Sequence, residues 1–206
     1  KHKALRYATL SIGGISTTFS RLQRPDKLII PILVLQLVLG VLYSVVIPVG
    51  ESYDEWGHFR YAEYIATEKR LPPNDLDLSV DTSESYQPPI YYLITGLAIS
   101  PFASATKGWP NPTRNQFFSD DNIGVDRGSY NFLLHTDQEA IPYQGIYRTI
   151  HLARLVTVLM AIITVLMTYR IGRLLFPARA EIALGAAAIN AFMPQFMFMG
   201  AVVSND

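Results

Sequence analysis

Residues 54–61, Asp-Glu-Trp-Gly-His-Phe-Arg-Tyr, set two carboxylates, an indole, an imidazole and a phenol within eight positions. A carboxylate beside an imidazole can move a proton or orient a nucleophile. On a helix, Trp56, Phe59, Ala62 and Ile65 recur at three-residue steps and form an apolar stripe. Asp54, His58 and Tyr61 line another face, with Asp54 and His58 one turn apart. The same residues also suit an interfacial helix whose Asp54 and Glu55 only complement the positive end of its dipole. On spacing alone the second arrangement is the commoner one.

Two further stretches carry polar groups of the same kind. In Glu-Ser-Tyr-Gln-Pro-Pro-Ile-Tyr-Tyr-Leu, residues 84–93, Pro88 and Pro89 hold the chain extended before a helix starts. The prolines either present Glu84, Tyr86 and Gln87 rigidly or simply open a helix. At the other end, Asn205 and Asp206 close a long apolar run. If they emerge on the same side as Asp54, acids from separate helices converge, which suits a metal or a proton-transfer centre. The histidines His58, His135 and His151 show no metal-ligand spacing and there is no cysteine, so a zinc motif is unsupported. Arg154, just inside an apolar run, either snorkels to the interface or meets an anionic lipid phosphate.

These groups need elements to hold them. Residues 28–49 carry no charge over roughly the length that crosses a ~30 Å hydrocarbon core. Residues 151–176, uncharged from Leu155 to Tyr169, and residues 182–204 are further apolar runs, and Pro194 allows a kink in the latter. These predict an all-α integral membrane protein with three transmembrane helices. Residues 177–181 form the turn between the last two. The stretch 90–105 is too short to span comfortably and contains Pro101. Charge arbitrates its placement: Lys1, Lys3, Arg6, Arg21, Arg24 and Lys27 precede the first span, and Arg170, Arg173 and Arg179 sit near the last turn. Both regions should be cytoplasmic, which requires two crossings between them. Residues 50–150 are then one external region with juxtamembrane helices at about 54–68 and 89–105, and residues 1–27 are a basic cytoplasmic segment. The expected location is the cell membrane (plasma or inner), multi-pass. The 17 acidic and 17 basic residues give no basic field for nucleic acid. A start at Lys1 and an end at a helix exit suggest part of a longer polytopic protein.

The ordered set of a span, Asp54–Ala66, Leu71-Pro72-Pro73, Tyr86–Leu93, Arg154–Phe176 and Ala183–Asp206 resembles the N-terminal part of the C-type superfamily of membrane glycosyltransferases. The similarity is to the protein mannosyltransferase and aminoarabinose transferase branch, especially family-39-like bacterial members. It implies transfer of a sugar from a polyprenyl-phosphate lipid to an acceptor outside the membrane. By match, Asp54 is the base or acceptor-orienting group, with Glu55 beside it and Asp206 as a second catalytic acid. His58, Tyr86, Gln87 and Arg154 become substrate-binding candidates. The family often places Glu-Lys before its double proline, the Glu binding a divalent metal ion and the Lys the lipid phosphate. Here Tyr86 and Gln87 stand there, and Glu84 is the nearest acid for a metal. Membrane lipids and other membrane subunits are the further partners expected. A second class remains open: a non-catalytic structural subunit of a larger membrane complex, of photosynthetic or respiratory type. A transporter is disfavoured, since ionisable residues lie only near the ends of the apolar runs.

Overall fold

The computed structural model describes residues 24–73, 84–106, 113–115 and 131–205. Most of the basic segment 1–27, much of the external loop, and Asp206 lie outside the described residues. All regular elements among these residues are helical, with an antiparallel bridge between Arg114 and Leu133 in the loop.

A 3-10 turn, Arg24–Leu28, leads into α1, Ile29–Val46. The helix stops because Ile47 precedes Pro48 and takes an extended backbone at its end. Helix α2 covers Glu55–Glu68 and α3 covers Ile90–Ile99, followed by a 3-10 stretch over Ser100–Thr106. Both fall where the two juxtamembrane helices were expected. Helix α4, Gly145–Leu175, begins two turns before the predicted span and rises about 46 Å at ~1.5 Å per residue. With the stretch Asp26–Val46 it makes two helices long and apolar enough to cross a membrane by length and composition.

The third apolar run is not one helix. Helix α5 ends at Phe192 after 13 residues, about 20 Å, and α6 restarts as Pro194–Met199. Pro194 has no N–H to continue the ladder, and Met193 before it is pushed to φ −64°, ψ 122°. Where a kink was expected, the helix breaks outright.

Close backbone approach organises the packing. A β-carbon on Gly172 would lie 2.8 Å from the Cα of Ala183, so α4 and α5 touch almost backbone to backbone. Ala180, Ala183, Ala187 and Ala191 form the buried face of α5. Gly96 brings α3 against α2 in the same way, its missing β-carbon 2.8 Å from the Ala62 carbonyl oxygen. Phe59, Tyr61, Ala62, Tyr92, Ile150 and Val203 then close one core between α2, α3, the start of α4 and the end of the chain. The expected apolar stripe of α2 is buried at Phe59, Ala62 and Ile65, while Trp56 is only half-buried under the Arg60 guanidinium, 4.7 Å from its ring centre. The other face is buried as well: His58 and Tyr61 are covered because α3 packs on them.

Candidate functional site

Arg154 and Glu55 form a closed unit at the junction of α1, α2 and α4. Nε and Nη2 of Arg154 donate to the two Glu55 carboxylate oxygens at 2.7 Å each. Nη1 donates to the carbonyls of Ser44 and Ile47 at 2.7 Å, and Nη2 also to that of Pro48 at 3.1 Å. All five guanidinium N–H groups are thereby used, and they neutralise the carbonyl end of α1. Glu55 in turn accepts from the backbone N–H of Gly50 at 2.9 Å and of Val203 at 3.0 Å. The side chains are 0% and 1% exposed. Arg154 therefore neither snorkels nor offers a donor to a phosphate; it joins helices.

Beside this unit, residues from the three polar stretches meet. Tyr92 is fully buried, its ring stacked 3.9 Å from that of Tyr61. Its hydroxyl lies 2.7 Å from His58 Nδ1 and donates to Asn205 Oδ1 at 3.0 Å. Asn205 Nδ2 donates to Gln87 Oε1 at 3.4 Å, and Gln87 Nε2 donates to Glu84 Oε2 at 3.3 Å. A turn holds this last pair, with Gln87 N–H on the Glu84 carbonyl at 3.0 Å. His58, Gln87 and Glu84 are thus gathered on one polar chain. Tyr92 and Asn205 complete it, and nothing in the local sequence around Tyr92 points to this role.

Asp54 stands apart from both arrangements. It is exposed, precedes α2 with φ 53°, and makes no side-chain capping bond. A non-glycine residue held in the left-handed region is unusual, and aspartate tolerates it better than most. The expected one-turn relation to His58 exists only in the backbone, where His58 N–H donates to the Asp54 carbonyl at 3.0 Å. Tyr86 is exposed nearby. The charge of Glu84 and its hydrogen bond to the hydroxyl hold the Tyr86 phenol above its ordinary range, with Asp54 adding a smaller push. The mouth of the site is therefore negative.

A divalent metal at Glu84 was one expectation. Its carboxylate already accepts from Gln87 and Tyr86, and no three His, Cys, Asp or Glu residues group as metal ligands among the described residues.

A second carboxylate cluster escaped the sequence reading. Glu51 accepts the backbone N–H groups of Phe132 and Leu133 at 2.8 Å each and contacts His135 Nε2 at 2.9 Å. The other ring nitrogen of His135 contacts Glu139 at 2.8 Å. The loop is pinned there to the end of α1, close to the site but not part of its chain. No family model matches the chain, and neither a curated protein nor a solved structure matches it.

Proposed function

We propose that this is a membrane protein in which α2, the Glu84–Gln87 turn and the end of α6 form a glycosyl-transfer site at the external membrane surface. The donor is a polyprenyl-phosphate sugar. Support for the membrane reading is the apolar surface left outside the fold: Val46 is 75% exposed and Leu174 80% exposed. Such continuous apolar faces need a lipid neighbour. The three-span topology with an internal N-terminus belongs to this reading, the broken α5–α6 segment being the third crossing.

One contrast carries the assignment. Of two adjacent acids, Glu55 is locked and Asp54 is left exposed at the mouth of the polar chain. Asp54 accepts the proton of an acceptor hydroxyl or amine as that atom bonds to the anomeric carbon. The bond from the anomeric carbon to the phosphate oxygen breaks, and its electron pair leaves on the lipid phosphate. Tyr86 and Gln87 bind the sugar or the acceptor through hydrogen bonds, without charge.

The test is transfer from a lipid-linked sugar by the purified protein in lipid nanodiscs. Asp54→Asn should lower the rate by at least about 100-fold, the usual contribution of a positioned base. An unchanged rate would remove Asp54 from the chemistry. A second reading, a non-catalytic subunit of a larger membrane complex, draws on the complete use of Glu55 and Arg154 in joining helices. It predicts no transfer by the wild-type protein and a partner co-purifying in fixed stoichiometry.

A further inference from the structure

His135 sits between two carboxylates. Its Nε2 lies 2.9 Å from Glu51 Oε1, and its Nδ1 lies 2.8 Å from Glu139 Oε2. A carboxylate only accepts, and a neutral imidazole carries a single N–H. A neutral ring would therefore set a bare nitrogen lone pair against one of the two anions. Both contacts are hydrogen bonds only when the ring carries two protons. Each carboxylate also serves other donors. Glu51 Oε1 takes the Leu133 N–H and its Oε2 that of Phe132, at 2.8 Å each, and Glu139 takes the Tyr147 hydroxyl. Tyr147 belongs to the first turn of α4, so the ring is the joint in a tie that runs from the end of α1 to the start of α4. Leu133 packs over Gly50, where a β-carbon would lie 2.5 Å from its Cδ1. Two further charges lie close by in sequence: Asp137 is exposed on the same 3-10 turn as Glu139, and the Arg114 guanidinium stacks 5.2 Å from the Phe132 ring centre.

We propose that His135 is a proton-operated clamp on the external loop. With two protons it ties residues 131–140 to Glu51 and, through Glu139 and Tyr147, to α4. On losing one it must let go of a carboxylate. The loop therefore tightens as pH falls through the range in which an imidazole changes charge, and loosens as pH rises. Glu51 stands three residues before Asp54, so the clamp grips the connection that leads into α2. The inference stands on this geometry and does not rest on the transferase reading.

The experiment is hydrogen–deuterium exchange of the protein in lipid nanodiscs, read by mass spectrometry on peptides covering 131–140 at pH 5.5 and 8.5. Rates are divided by those of the unstructured chain at each pH. Protection in the wild type should fall roughly tenfold or more at the higher pH, what one hydrogen bond to a charged group supplies. His135→Gln should show low protection at both. Glu139→Gln should do the opposite: its amide donates to the bare Nδ1 of a neutral ring, and protection should stay high at pH 8.5. A substitution that merely weakened the loop could not have that effect. Wild-type protection that ignores pH overturns the proposal. So does a pH-dependent fall that survives in His135→Gln, or one as large in Glu139→Gln as in the wild type.

Discussion

Two polar assemblies lie side by side at the junction of the helices, and they are built on opposite plans. In the Glu55–Arg154 unit, every guanidinium N–H has a partner and both side chains are sealed from solvent. In the series from His58 to Glu84, each group passes one hydrogen bond to the next, and the members Gln87 and Asn205 are only partly buried. The closed unit fixes where helices sit. The open series ties α2, α3 and the Glu84–Gln87 turn together, and Tyr86 and Asp54 stand exposed beside it. A buried ion pair is a poor place for reversible chemistry, because its groups cannot let go of one another without leaving a charge uncompensated.

Mutations should separate the two plans. Arg154→Met removes one partner of the sealed pair and should cost about 3–5 kcal/mol, measured by denaturant or thermal unfolding in detergent. Adding Glu55→Gln should recover part of that loss; no recovery would mean that the carbonyl contacts of Arg154, not its charge, hold the junction. Tyr91 sits on the closed side, its hydroxyl 2.7 Å from Thr157, and burial raises its phenol to about 12. An unfolded tyrosine ionises near 10, so the unfolded state releases its proton first as pH rises. Stability should fall by about 3 kcal/mol between pH ~10 and ~12, two units at ~1.4 kcal/mol each. Tyr91→Phe should lack that loss; equal alkaline melting curves for both proteins would refute the assignment. Gly172→Val forces a side chain against the Ala183 backbone and should cost roughly 1–3 kcal/mol. The smallest effect belongs to the open side: Tyr92→Phe should cost only about 1 kcal/mol of stability. A loss as large as that of Arg154→Met would show that the two assemblies are one.

The helices were legible in the sequence because their signals are local. The stripe Phe59, Ala62, Ile65 gave α2 its bounds, and Pro88-Pro89 announced α3. Pro194 was legible as a disturbance but not in degree, since whether a helix bends or parts depends on what packs around it. The candidate site was legible as three polar stretches but not as a connected one. Nothing near Arg154 in the chain announces that its carboxylate partner is Glu55, and the polar tip of an arginine reads equally as snorkelling or pairing. Tyr92 carries no local signal either: only the stacking of Tyr61 and the reach of Asn205 make it a buried link.

The closed unit also carries a timetable. Glu55 is followed by its arginine only 99 residues later, and by the Val203 N–H 148 residues later. At a synthesis rate of ~5–20 residues per second, about 5–20 s pass between the making of Glu55 and that of Arg154. During that interval the last carbonyls of α1 and the Glu55 carboxylate must be kept wet or held by other groups. The Glu55–Arg154 unit therefore closes in order, its Val203 contact made only when the end of the third apolar run arrives.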